Sequence, residues 1–120
     1  VSIVNGSQIT VSRAGVYNLQ FSAQFDKTDS GQDTFELWLK KNGQPVDWSN
    51  TTCDANNNNA KVVAAWNFVM PLAAGDYLEL AWWSADVNMR LFAQAAQAAV
   101  PGVSPARPAI PSVILTMTGV

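Results

Sequence analysis

From Val16 to Phe25 the chain alternates strictly. Tyr17, Leu19, Phe21, Ala23 and Phe25 share one face, and Asn18, Gln20, Ser22 and Gln24 share the other. A period of two predicts a β-strand with one buried side. Phe35, Leu37 and Leu39 repeat the pattern, with Glu36, Trp38 and Lys40 pointing away. Asn42-Gly43 is a two-residue hairpin signal, and Pro45 argues against a regular central strand there. "TTCDANNNNAK" reads as a polar loop, "KVVAAWNFVMPL" as another strand, and "SVILTMTGV" as a last, mostly buried one. The stretch from Asp76 to Gln94 also reads as strand, yet neither of its sides is polar. Leu78, Leu80 and Trp82 fall on one side; Tyr77, Ala81 and Trp83 fall on the other, with Glu79 among them. A strand in a small domain normally buries one face and wets the other, so something is expected to cover this second face.

"AQAAQAAVPGVSPARPAIP" is rich in Ala and Pro. Its first half has helical composition, but Pro101, Pro105, Pro108 and Pro111 favour an extended loop. No internal repeat and no domain boundary are evident. Strands separated by turn signals, without a long helix, predict an all-β antiparallel sandwich or jelly roll spanning residues 1–120 as one domain.

Composition narrows the function. Only 13% of the 120 residues are charged, the net charge is −2, and 48% are apolar. A nucleic-acid binder needs a basic stripe, and none exists. Low surface charge also does little to keep copies apart, so self-association is expected. No apolar run is long enough for membrane insertion as a helix. The sequence has no histidine, which excludes a Ser-His or Cys-His nucleophile and any histidine-bearing zinc site. Nothing brings two carboxylates together for glycoside hydrolysis. A non-enzymatic protein is expected, with no catalytic residue and no cofactor. Cys53, the single cysteine, has no cationic neighbour in sequence to lower its pKa and reads as structural. Asn5-Gly6-Ser7 and Asn50-Thr51-Thr52 match the glycosylation acceptor pattern, which is short enough to arise by chance. The opening "VSIVNGSQ", without an initiator methionine, reads as the start of a C-terminal piece of a longer chain, or of a mature product.

Trp48 follows a turn and is flanked by Asp47, Ser49 and Asn50. An aromatic face beside short polar side chains suits a sugar ring, so Trp48, Asp47 and Asn50 are candidate ligand contacts. The competing expectation is a tryptophan packed on the rim of the sandwich, since large aromatics are more often covered than exposed.

The order of these segments resembles the C1q/TNF-like trimeric jelly roll. "AGVYNLQF" matches that family's Gly-x-Tyr-x-Phe strand, with Leu19 where a Phe is common; "LWLKKNG", "AAGDYLEL" and the hydrophobic closing strand follow in order. The resemblance covers the chain from about Ile9. It departs at "PAIPSVILTM", which replaces a Phe-x-Gly ending, and the first family strand is missing or lies within Val1 to Gln8. "NGQPVDWSNT", "SAD" and "PAIPSVILT" look most like C1q-like domains of bacteriophage tail fibres and virion appendages. The resemblance implies a homotrimer in which the Gly15 strand, the Asp76 strand and the last strand form one sheet facing the three-fold axis. Tyr77, Glu79, Ala81 and Trp83, together with Asn18, Gln20, Ser22 and Gln24, are then the expected trimer interface. It also implies a virion location, other virion proteins and a host surface glycan as partners. Two alternatives stand beside it: a secreted or surface-displayed bacterial adhesin, and a purely structural trimerisation or capsid decoration domain. Related trimers can bind calcium, which draws notice to Asp26, Asp29 and Asp33. Aligning Gly31 with the sixth EF-hand position places Leu37 where a bidentate Glu is required, so no metal is expected, with these three aspartates as the runner-up set.

Overall fold

The alternating segments become strands because each has one apolar side to bury and β-branched or aromatic residues that fit a pleated surface. The computed structural model describes residues 1–120 and contains ten strands and no helix. They are β1 (Ser2–Val4), β2 (Gln8–Thr10), β3 (Gly15–Lys27), β4 (Asp33–Lys41), β5 (Gln44–Pro45), β6 (Thr51–Ala55), β7 (Lys61–Leu72), β8 (Tyr77–Ser84), β9 (Met89–Leu91) and β10 (Val113–Gly119). The first sheet runs β1-β2-β8-β4-β5, with β6 also on β4; the second runs β10-β3-β7, with β9 beside β3. Every pairing is antiparallel. The long strands alternate between the two sheets along the chain, so each sheet's apolar face is covered by the other.

Leu19, Phe21, Ala23 and Phe25 of β3 meet Phe35, Leu37 and Leu39 of β4 and Leu78 of β8 in the interior. Phe25 is fully buried, with its ring 4.3 Å from Phe35 and 5.2 Å from Trp82. The packing is looser toward β1 and β10. There an apolar space of about 450 Å³ lies between the sheets, bordered by Ile3, Ile9, Leu80, Trp82, Leu91, Val113 and Leu115.

Four expectations are corrected. The Asp76 strand, β8, does not join β3 and β10; it lies in the other sheet, between β2 and β4. Thr51–Ala55 is not loop but β6, paired with Asp33–Leu37, because Cys53 and Ala55 cover the core while Thr52 and Asp54 stay wet. The last strand is only half buried: Val113, Leu115 and Met117 pack inward, and Ile114 is exposed. Gln24 N donates to Ser112 O and Val120 N to Val16 O, so even-numbered residues bond β3. Val113, Leu115 and Met117 therefore direct their backbone groups to an edge with no further strand.

The fourth correction is a repeat. Gln94 pairs with Ile110, Gln97 with Arg107 and Val100 with Ser104, each pair exchanging two backbone hydrogen bonds of 2.8–3.0 Å. The spacing is three residues, the period of polyproline II rather than of β-structure. Only every third N–H is used. Pro105, Pro108 and Pro111 sit one residue after Ser104, Arg107 and Ile110, where no donor is needed. The Ala- and Pro-rich segment is thus an extended two-stranded arm, roughly 20 Å long at 3.1 Å per residue, turning at Pro101-Gly102.

Candidate functional site

The two outward faces of the sandwich differ in chemistry. On the second sheet, β3 presents Val16, Asn18, Gln20, Ser22 and Gln24 between Val63, Ala65, Asn67, Val69 and Pro71 of β7 and Ile114, Thr116 and Thr118 of β10. No side chain in this band carries a charge. Val63, Val69 and Ile114 are exposed, and Asn67 donates to Asn18 Oδ1 at 3.1 Å. Charges begin only at its end, where Arg90 makes a two-pronged contact with Asp26 at 2.6 and 3.0 Å and Lys61 lies opposite Asp26.

On the first sheet the outward residues are Glu36, Trp38 and Lys40 of β4 and Tyr77, Glu79, Ala81 and Trp83 of β8. Nothing covers Trp83, which is 54% exposed. Tyr77, Glu79, Ala81 and Trp83 therefore lie on the opposite side of the sandwich from Asn18, Gln20, Ser22 and Gln24, and the two groups do not share one face as expected.

The loop after β5 builds a groove on this first-sheet face. Val46 N donates to Leu39 O at 2.8 Å, and Ser49 N to Val46 O at 3.3 Å, closing a tight turn around Asp47 and Trp48. The buried Ser49 hydroxyl fixes it: Oγ donates to Val46 O at 2.7 Å and accepts from Leu39 N at 3.0 Å. Trp48 occupies the third turn position with φ of 70°, left-handed backbone that favours Gly or Asn. Its side chain is fully exposed, at 101%, so the rim-packing expectation does not hold. Glu36, Trp38, Pro45, Val46, Asp47, Trp48 and Asn50 line a groove of about 370 Å³. Asn50 Nδ2 donates to Glu36 Oε1 at 3.2 Å. The three candidate contacts, Trp48, Asp47 and Asn50, are thus brought together. Glu36 and Trp38 join them and were missed. Their outward phase on β4 was the available signal, but only the fold-back at Asn42-Gly43 brings residue 38 beside residue 48.

The aspartates regroup. Asp26 is engaged by Arg90 and leaves the set Asp26, Asp29, Asp33; Asp86 replaces it, with ligand oxygens of Asp29, Asp33 and Asp86 within 4.8 Å of one another. This group already surrounds a positive charge. The Lys27 ammonium is completely buried, 2.6 Å from Asp33 and 3.6 Å from Asp29, and it donates to Gly31 O. Burial alone would lower the Lys27 pKa, but Asp33 and Asp29 outweigh it and hold the ammonium charged. Asp86 sits against Asp33, and that carboxyl–carboxylate contact raises the Asp86 pKa while lowering that of Asp33, which Lys27 lowers further. Asp76 is also lowered, first by Asn42 and then by the Ala73 N–H. Cys53 is raised by burial and then by Asp54, which keeps its thiol protonated.

A pH dependence follows. Asp33 and Asp76, lowered in the fold, contribute stability above the ordinary carboxyl range that is lost as pH falls through their folded values. Asp86, raised, contributes in the opposite sense: its share is present in acid and lost as pH rises through its folded value. The Asp86→Asn variant carries an amide that donates to Asp33 at any pH and still accepts from Asn88 N, an existing 2.8 Å bond. It is expected to melt above wild type at about pH 8, with the gap closing as pH falls through the raised folded value of Asp86. Melting curves across that range check this; a constant gap would mean that the Asp33–Asp86 contact does not share a proton.

No protein-family model matches the chain, and no curated protein sequence matches it.

Proposed function

We propose that this chain is a non-enzymatic, homotrimeric jelly-roll head of a virion appendage that assembles through one face and meets a host surface glycan with the other. The observation that carries the reading is the uncharged band on the second sheet. A monomer's exposed sheet face normally carries charges that keep copies apart, and thirteen outward positions without one are suited to burial. Asn18, Gln20, Asn67 and Gln24 supply amides that find partners across a symmetric contact. The alternation of long strands between two sheets supports the jelly roll. The resemblance to C1q/TNF-like phage domains supports three-fold symmetry, the virion location and contact with other virion proteins. The Trp48 groove, on the far side of the sandwich, stays open to a ligand when the uncharged band is covered. Three such grooves on one rigid head multiply weak contacts into avidity.

Light scattering coupled to size exclusion is expected to give about three times the chain mass. A concentration-independent monomer would remove the assembly reading.

A further inference from the structure

Resting on the glycan-binding part of the proposed function, we infer that the Trp48 groove is a subsite for an uncharged pyranose and discriminates against acidic sugars. Five side chains define its chemistry: Trp48 and Trp38 supply apolar ring surface, and Glu36, Asp47 and Asn50 supply polar groups. The C–H face of a pyranose packs on an indole, and ring hydroxyls donate to carboxylates; a binding site of this size is dominated by such apolar surface with a few placed polar groups. Asn50 already occupies one oxygen of Glu36 at 3.2 Å, which orients the carboxylate and leaves its other oxygen for a hydroxyl. Across β4 and β8, Trp38 faces the small Ala81, so its ring is not overlaid from that side.

The charge balance of the groove sets the class. It contains two carboxylates and no Lys or Arg. The nearest cation is Lys40, outside the lining but two residues along β4 from Trp38 and opposite Pro45; Lys41 is 3.7 Å from Asp76. A sialic or uronic acid would bring a third negative charge beside Glu36 and Asp47, which already outnumber the single lysine at the groove's edge. Repulsion of this kind between solvated charges amounts to about a tenfold penalty and fades as salt rises.

The backbone of Trp48 gives a signature that a merely structural residue lacks. At φ of 70° a tryptophan is strained, and a glycine is not. Strain held at a fully exposed aromatic, with no contact in its own chain to reward it, points to use of the ring by a ligand.

The test uses the whole chain on an array of neutral, sialylated, uronate-bearing and sulfated oligosaccharides at low and moderate salt. Wild type is expected to hold neutral sugars and to bind acidic ones about tenfold less, the gap narrowing with salt. Trp48→Gly is expected to lose at least about tenfold in neutral-sugar binding while melting at or above the wild-type temperature. Glu36→Gln with Asp47→Asn is expected to lose the discrimination against acidic sugars. A preference for acidic sugars, or neutral-sugar binding that survives Trp48→Gly, overturns this inference and leaves the glycan reading in place. Failure to bind any sugar overturns both.

Discussion

Replacing Ala65 by arginine is expected to convert the proposed trimer into monomers that keep a β-rich circular dichroism spectrum. Ala65 lies mid-strand on β7, opposite Ser22, in the middle of the uncharged band. Its side chain is exposed and makes no part of the core, so a larger residue there leaves the protomer interior untouched. Each copy would carry a guanidinium into a contact that offers no carboxylate, and burying an unpaired charge costs several kcal/mol per ion. The companion variant is Trp83→Glu. On the expectation that β8 faces the three-fold axis, this change breaks the trimer; with β8 in the opposite sheet, it is expected to leave the trimer intact. Sedimentation velocity on both variants separates the two faces. A trimeric Ala65→Arg together with a dissociated Trp83→Glu would place assembly on the first sheet instead.

The sequence reading of these faces was right strand by strand and wrong between strands, for a physical reason. Side-chain parity along one strand is local: the period of two places Gln20 opposite Phe21 in phase whatever surrounds them. The assignment of strands to sheets is not local. Nothing in "DYLELAWW" records that β8 pairs with β4 rather than with β3; that is decided by which apolar faces meet across the interior. The same limit explains Asp86. Its partners Asp29 and Asp33 are more than fifty residues away in sequence, so the spacing of nearby aspartates picked Asp26, which Arg90 takes instead. The segment from Gln94 to Ile110 reads as extended from its prolines, but its pairing into an arm does not, for a different reason. A period of three is neither strand nor helix, and alanines and prolines carry no hydrophobic alternation to reveal it. The Trp48 turn was legible as chemistry, since Asp, Trp and Asn stand together in the chain. Its groove was not, because Glu36 and Trp38 enter it only through pairing and fold-back.

The largest expected loss of protomer stability belongs to Phe25, not to Trp82. Trp82 reads from sequence as part of the central core stripe, and its removal alone would then leave a sealed cavity. In the fold it is only half buried, and it borders the apolar space of about 450 Å³ between the sheets. Truncating it enlarges a space that already exists, so Trp82→Ala is expected to cost mainly the lost transfer of apolar surface, about 1.5–3 kcal/mol. Phe25 is enclosed on every side. Its ring meets Phe35 at 4.3 Å and Trp82 at 5.2 Å, and its own backbone is held between β7 and β9, so neighbours cannot collapse into the gap. Phe25→Ala is expected to cost about 3–5 kcal/mol, the transfer of the ring plus an unfilled cavity. Urea unfolding of the Ala65→Arg background reads both values on the protomer without a contribution from assembly. A Trp82→Ala loss equal to or above that of Phe25→Ala would show that the space beside Trp82 is closed in solution, and with it that something covers the open edge of β10.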